Sequence, residues 1–436
     1  MSRGTEVSVS CLCGAAKQTV VLRSTESESG PLGVDLCHCY DCRHISGVLC
    51  LSYAPIKGPQ SLNGLVVYLG ESTQSSTAAA VATPRRYFCD TCGCHVFRCS
   101  ADGNNGASEA WEVATGTIIG RIEANGVVDE EEEPLLRYAR HINIKSTKDG
   151  GLSPFIKLTE EAFPSTTTTT TPTTTSNQTI DRGSESGSRT KTSKPTLEAH
   201  CHCKTVQFFI TRPNASSFLP HSGFSDLIAP FTTSPKDVAA NPQDEKWWLR
   251  PRSRDDPSLT RYMAGTCGCR SCRLACGFEI QTWAFVPRGN IFLLPPAPAP
   301  SPAPTSSPLP SPPPSSPPSS PAVSLSNPPP NALPLDFPTL QSTYSPRPLR
   351  TYESSPGVFR EFCPRCGASV FWHDTSRPEL IDVSVGLLAA AEEEGEGEGE
   401  GARAEKWLDW WWRRVSFQED AGNGRLVMYR IGTECI

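Results

Sequence analysis

The sequence predicts a mainly β protein made of two tandem, cysteine-built domains joined by a disordered Thr/Ser-rich linker. Three observations carry that expectation. The chain of 436 residues holds 19 cysteines. Three cysteine clusters recur in the same order in each half. Between and within the halves run long stretches whose composition offers nothing to bury.

The repeat is read by laying one half on the other. Cys11-Leu12-Cys13 answers to Cys201-His202-Cys203. Cys37-His38-Cys39-Tyr40-Asp41-Cys42-Arg43 answers to Cys267-Gly268-Cys269-Arg270-Ser271-Cys272-Arg273. Gly47 then matches Gly277, and Tyr53-Ala54 matches Trp283-Ala284, without a gap. Arg86-Tyr87-Phe88-Cys89-Asp90-Thr91-Cys92-Gly93 pairs with Arg360-Glu361-Phe362-Cys363-Pro364-Arg365-Cys366-Gly367. Val96-Phe97 falls on Val370-Phe371. Three clusters in the same order twice are not a product of chance.

Segments between the clusters are short, rich in β-branched and aromatic residues, and bounded by turn residues, as at Val206–Ile210 and Phe278–Trp283. Glu405–Arg414, with Trp407, Leu408, Trp411 and Trp412, has the spacing of a helix packed on the second domain. The Thr/Ser run at 165–194 reads as a flexible linker, and the Pro/Ser/Ala tract at 294–335 as a disordered insertion. The Glu/Gly alternation at 392–401 is expected not to pack, and Asp129–Glu133 to form a solvated loop. The expected boundaries are a first domain at 5–160, a linker at 161–195 and a second domain at 196–435. Cleavage in the linker is expected to release two separately folded halves.

Composition narrows the function. The formal net charge is −6, from 40 basic and 46 acidic residues, with no basic block of the kind phosphate binding requires, so nucleic acid is disfavoured as a partner. No apolar run is long enough to span a bilayer, and Met1–Glu6 has no apolar signal segment, so no membrane association is expected. The expectation is a cytoplasmic or nuclear protein that is not secreted, in a reducing compartment where clustered thiols bind metal rather than pair as disulfides.

Seven cysteines recur in each half, and seven divides into four plus three. Two Cys pairs complete a closed tetrahedral zinc site, assigned here to Cys11, Cys13, Cys89 and Cys92, and to Cys201, Cys203, Cys363 and Cys366. The triplets Cys37, Cys39, Cys42 and Cys267, Cys269, Cys272 remain. Three ligands leave a fourth position open for water, thiol or substrate, the mark of a catalytic site; the alternative is another structural knuckle with a fourth ligand from elsewhere. Up to two zinc ions per domain are therefore expected. The repeat prunes other candidates: Cys94 faces Ala368, Cys276 faces Ser46 and His38 faces Gly268. Cys50, Cys99 and Cys435 read as spare thiols, and His141 and His373 as ordinary hydrogen-bonding residues. Arg43 and Arg273, directly after the triplets, offer a guanidinium to the thiolate charge or to a substrate carboxylate, or else serve as surface arginines or cap a backbone carbonyl.

At these residues the sequence resembles the glutathione-dependent formaldehyde-activating enzyme family, whose domain is shared with centromere protein V. The shared pattern is Cys-x-Cys, then Cys-x-Cys-x-x-Cys-Arg with a following Gly, then Phe-Cys-x-x-Cys-Gly, and it stands twice here. The resemblance implies a β-tent fold for each domain, a structural zinc on the first and last pairs, and a catalytic zinc on the triplet. It also implies carbon–sulfur lyase activity joining formaldehyde and glutathione, as co-substrate, into S-hydroxymethylglutathione. Cys39 and Cys269 are then the candidate catalytic residues, and a small-molecule thiol and aldehyde the partners. Large insertions around the second triplet are expected to reshape or cover its pocket. The competing expectation is a non-catalytic zinc module that binds a protein or chromatin partner.

Overall fold

The computed structural model describes residues 4–23, 30–70, 84–101, 109–123, 126–129, 135–156, 158, 195–223, 241–251, 260–295, 328–345, 347–392 and 400–420. The expected linker up to residue 194, most of the acidic loop at 129–133, and Cys435 lie outside the described residues.

The N-terminal half begins with β1 (Glu6–Val9), β2 (Gln18–Val21) and β3 (Leu32–Cys37), then the short helix α1 (Tyr40–Ser46). Five strands follow: β4 (Leu51–Ile56), β5 (Leu65–Leu69), β6 (Arg85–Cys89), β7 (His95–Ala101) and β8 (Glu109–Ala114). The half closes with β9 (Ile118–Ile122), β10 (Val128–Asp129) and β11 (Leu136–Ile142). These form a small sheet in the order β10-β9-β1-β2 and a large one in the order β11-β3-β4-β8-β7-β6-β5.

The C-terminal half opens with β12 (Thr196–His200), β13 (Gln207–Thr211), β14 (Leu249–Arg250) and β15 (Arg261–Cys267), followed by α2 (Arg270–Cys276). Next come β16 (Gln281–Pro287), β17 (Ile291–Leu293), β18 (Leu333–Pro334) and a third helix, α3 (Phe337–Thr343). Five strands complete it: β19 (Arg350–Ser355), β20 (Val358–Phe362), β21 (Ser369–Asp374), β22 (Leu380–Ser384) and β23 (Leu408–Ser416). Its large sheet runs β14-β15-β16-β22-β21-β20-β19, with β23 also paired to β15. Strand for strand, β15-β16-β22-β21-β20-β19 repeats β3-β4-β8-β7-β6-β5. In each half a late strand, β11 or β23, adds in parallel to the strand that ends in the first triplet cysteine. The molecule is mainly β and topologically duplicated.

The halves grip each other by the same contacts used twice. Leu12 N donates to Leu274 O at 3.0 Å, and His202 N to His44 O at 2.9 Å. Gly116 N donates to Gly277 O at 3.1 Å, and Gly386 N to Gly47 O at 3.0 Å. The two Cys-x-x-Cys-Gly turns also cross over. Gly93 and Gly367 both sit at φ +76°, which favours glycine, and a Cβ on either would lie 2.5 Å from the ring of Phe362 or Phe88 of the other half. One hydrophobic core runs through both halves, joining Leu36, Ile45, Leu49 and Phe88 to Phe208, Phe278, Phe362 and Phe371. The expectation of separately folded halves therefore meets a shared interior.

Three local expectations are corrected. Residues 328–335 of the presumed disordered insertion belong to the fold: Leu333–Pro334 pairs with Ile291–Leu293, and Leu335 is buried. The segment expected to be helical is the strand β23 from Leu408 onward, because the open edge of β15 offers its backbone a full set of parallel partners and tertiary pairing overrides local spacing. The strand period puts Trp410 and Trp412 on one face, where their rings stack at 4.5 Å and Trp412 stacks on Phe155 at 3.7 Å. Finally, the Glu/Gly segment does pack at its ends. Glu392 accepts from Arg43 at 2.6 Å, and Gly401 is buried against the Asp149 side chain. Burial opposes ionisation of Glu392, but the neighbouring His44 ring, 3.6 Å away, and the charge of Arg43 hold its carboxyl down at about 2.

A shared core predicts how a cut chain behaves. With a protease site engineered between residues 165 and 194, the cleaved halves should co-elute in size exclusion and melt in one transition. Two separable halves, each with its own transition, would contradict this.

Candidate metal centres

Among the described residues, four groups of three or more metal-ligating side chains bring their donor atoms within 4.8 Å of one another. They are the two quartets and two triplets marked out by the sequence repeat.

Each quartet joins the turn after the first strand of its half to the end of β6 or β20. Gly14 N bonds Cys11 O at 3.1 Å to close the first turn, and Gly93 N bonds Cys89 O at 2.9 Å to close the second. The turns aim backbone donors at sulfur: Ala16 N lies 3.4 Å from Cys11 Sγ, and Val206 N 3.4 Å from Cys201 Sγ. Cys13 Sγ stands 3.5 Å from Cys11 Sγ and 3.4 Å from Cys89 Sγ; Cys203 Sγ stands 3.5 Å from both Cys201 Sγ and Cys363 Sγ. A disulfide needs about 2.05 Å. A tetrahedral zinc with sulfurs at ~2.3 Å has S···S edges of about 3.8 Å, so the quartets fit that ion and not a disulfide. Four thiols this close share protons unequally: hydrogen bonds from Cys11 and Cys92 hold Cys89 down at about 2, while the bond to Cys89 raises Cys11 to about 12. A divalent cation removes that conflict by letting all four ionise.

The triplets are placed by a strand end and a helix start. Cys37 ends β3 and Cys267 ends β15. Cys39 caps α1, its Sγ accepting from Cys42 N at 3.4 Å, and Cys269 caps α2 by the same bond from Cys272 N at 3.3 Å. Gly47 and Gly277 stop the helices in the left-handed conformation. The helix starts are held from the late strand's turn: Tyr40 N donates to Ser146 Oγ at 3.0 Å, and Arg270 N to Asp420 Oδ2 at 2.8 Å.

A buried arginine backs each triplet. Arg86 Nη2 donates to Cys42 Sγ at 3.5 Å, and Arg360 Nη2 lies 3.6 Å from Cys272 Sγ. Hydrogen bonds from the Cys37 and Cys39 thiols, then the charge of Arg86, hold Cys42 well below the ordinary thiol range. Cys267, Cys269 and Arg360 do the same for Cys272. Hydrogen bonds to its two neighbours push Cys39 up. These two arginines were missed as site residues in the sequence, although they stand at matching positions in the repeat. Asn143 was also missed; its Nδ2 donates to Cys37 Sγ at 3.2 Å.

The arginines chosen from the sequence lie elsewhere. Arg43 and Arg273 are both buried between the halves. Arg43 bonds Glu392, and Arg273 Nη1 donates to Gly116 O at 2.8 Å and Ile118 O at 2.9 Å. Helix geometry turns the residue after the third cysteine toward the other half, so these guanidinium groups join the halves instead of facing a ligand. Cys50, Cys94, Cys99 and Cys276 are buried outside the four groups. His38 Nε2 and His141 Nδ1 share a hydrogen bond of 2.9 Å, and His373 bonds Glu361 at 3.1 Å.

The surroundings of the triplets differ. All three sulfurs of the second line a cavity of about 440 Å³, with Trp283, Trp372 and Phe417 among its walls. Of the first triplet, Cys37 alone lines a cavity of about 490 Å³, together with Arg98 and Arg140.

Residues 6–127 match the family model of the glutathione-dependent formaldehyde-activating enzyme. The match supports that family for the N-terminal half, where it spans the first quartet and triplet. No curated protein and no solved structure matches the chain. Among the described residues no helix is long and apolar enough to cross a membrane.

The two kinds of site should respond differently to loss of a ligand. The first quartet ties residues 76 apart and the second residues 160 apart, while each triplet closes only a few residues. Cys89→Ser or Cys363→Ser should remove one zinc and lower Tm by roughly 10 °C or more, since site energy is folding energy. Cys39→Ser or Cys269→Ser should remove one zinc with a much smaller shift. Equal destabilisation by all four variants would make the triplets structural as well.

Proposed function

We propose that this chain is a zinc-dependent carbon–sulfur lyase of the formaldehyde-activating type, with two tandem domains of that family. The observation that supports it is the pair of three-sulfur sites, each backed by a buried arginine and each reaching a cavity. In this reading Cys37, Cys39 and Cys42, and Cys267, Cys269 and Cys272, hold the catalytic zincs, and the quartets hold structural ones. Zinc held by three thiolates supplies the charge that keeps a thiol ionised near neutral pH and steadies negative charge on oxygen.

The reaction needs no oxidant. The thiol sulfur bonds to the aldehyde carbon, the C=O π pair moves to oxygen, and that oxygen takes up the proton the thiol gave up. The reverse step restores thiol and aldehyde. The protein's own part is positioning two small reactants, which replaces a bimolecular encounter by a held one. Arg86 and Arg360 offset the negative charge that a thiolate triplet concentrates in the interior. Cys39 and Cys269, as central ligands and helix caps, fix the sulfur set to the rigid start of the helix.

The test is formation of S-hydroxymethylglutathione from glutathione and formaldehyde by zinc-loaded full-length protein. The Cys39→Ser, Cys269→Ser double variant should keep its fold by circular dichroism and drop from four zincs to two. Its catalysed rate should fall at least 100-fold. Full activity in that variant would remove the triplets as the seat of chemistry. Four bound zincs with no activity toward any thiol and aldehyde would favour a binding module.

A further inference from the structure

We infer that the two triplets serve unlike ligands, and that the Cys267–Cys272 site takes a thiol or aldehyde bearing an aromatic or other apolar group. This rests on the lyase reading for the chemistry, but the contrast itself is carried by cavity walls.

Strand register makes the comparison position by position. On β4, Tyr53 pairs with Ala114 and Pro55 with Glu112; on β16, Trp283 pairs with Ser384 and Phe285 with Asp382. On β7, Arg98 pairs with Glu112; on β21, Trp372 pairs with Asp382. At the turn after the late parallel strand, Asn143 in one half and Phe417 in the other share the left-handed conformation, at φ 58° and 55°. Moving from first site to second, Tyr becomes Trp, Pro becomes Phe, Arg becomes Trp and Asn becomes Phe. Every change adds apolar surface or removes a polar group.

The charges follow. The first cavity carries the guanidinium groups of Arg23, Arg98, Arg137 and Arg140 against the carboxylates of Asp35 and Glu112, a positive balance. Among the described residues, the second carries Arg360 against Asp374 and Asp382. Asp382 is held by Arg377 at 2.9 Å, and that guanidinium lies 4.8 Å from the Trp372 ring centroid. Trp372 is thus pinned by a cation–π contact, and its indole helps wall the cavity that opens on the three sulfurs. A carboxylate-bearing ligand suits the first wall; a planar apolar one suits the second, through burial and ring stacking.

Isothermal titration of zinc-loaded full-length protein with benzyl mercaptan and with 3-mercaptopropionate tests this without turnover. The probes share a thiol and differ in ring against carboxylate. Benzyl mercaptan should bind one equivalent per chain at least tenfold more tightly than 3-mercaptopropionate does at that site. Trp372→Arg and Phe417→Asn, which copy the first half, should each weaken benzyl mercaptan at least tenfold and leave the first site's 3-mercaptopropionate binding unchanged. If Trp372→Arg does not fold, Phe417→Asn carries the comparison alone. Equal binding of both thiols at two equivalents, or benzyl mercaptan affinity unmoved in folded variants, overturns the inference and leaves the lyase reading standing. Binding of neither thiol overturns both.

Discussion

The helix that carries the third cysteine of each triplet is seven residues long, too short to hold itself in place, and each is held by the opposite half of the chain. On α1, His44 O accepts from His202 N and the cap residue Gly47 accepts from Gly386 N. On α2, Leu274 and Gly277 accept from Leu12 and Gly116. The donors at Leu12 and His202 lie between the two cysteines of a quartet pair. The loop of a quartet in one half thus positions the triplet of the other, and a metal held by either quartet would pass its rigidity across the interface. Arg43 and Arg273 are drawn into that interface because they occupy the helix face turned toward it.

Much of this was legible in the sequence because sulfur chemistry leaves a strict record. A Cys-x-x-Cys-Gly turn needs its glycine both for the positive φ and for the approach of a phenyl ring, so the motif survives intact in both halves at Cys89–Gly93 and Cys363–Gly367. Cysteines absent from one half, such as Cys94 and Cys276, stayed out of the four groups for the same reason. What could not be read was anything settled by the partner half. The cross-half hydrogen bonds use backbone atoms, which carry no residue signature. Arg86 and Arg360 look like ordinary strand residues until β6 and β20 are seen to turn them inward onto Cys42 and Cys272. The tryptophans of 405–414 fit a helix by spacing, yet their backbone joins β15 because a parallel edge was open there. Glu392 sits at the head of a Glu/Gly run that gives no local hint of its contact with Arg43.

Duplication within one chain also frees the two sites to diverge. Both need the same sulfur scaffold and the same arginine behind it, and both keep them. The halves differ instead in side chains around that scaffold, on β4, β7 and the turn at Asn143, where Trp283, Trp372 and Phe417 replace Tyr53, Arg98 and Asn143.

Zinc K-edge X-ray absorption of the full-length protein, with metal counted on the same sample, addresses the central claim most directly. Fourteen cysteines in two quartets and two triplets should hold four zincs. The average shell should be about 3.5 sulfurs at ~2.3 Å with about half a lighter oxygen or nitrogen ligand per zinc, because only the triplets keep an open position. Two zincs per chain with four sulfurs each would mean that the triplets hold no metal, and would contradict the account.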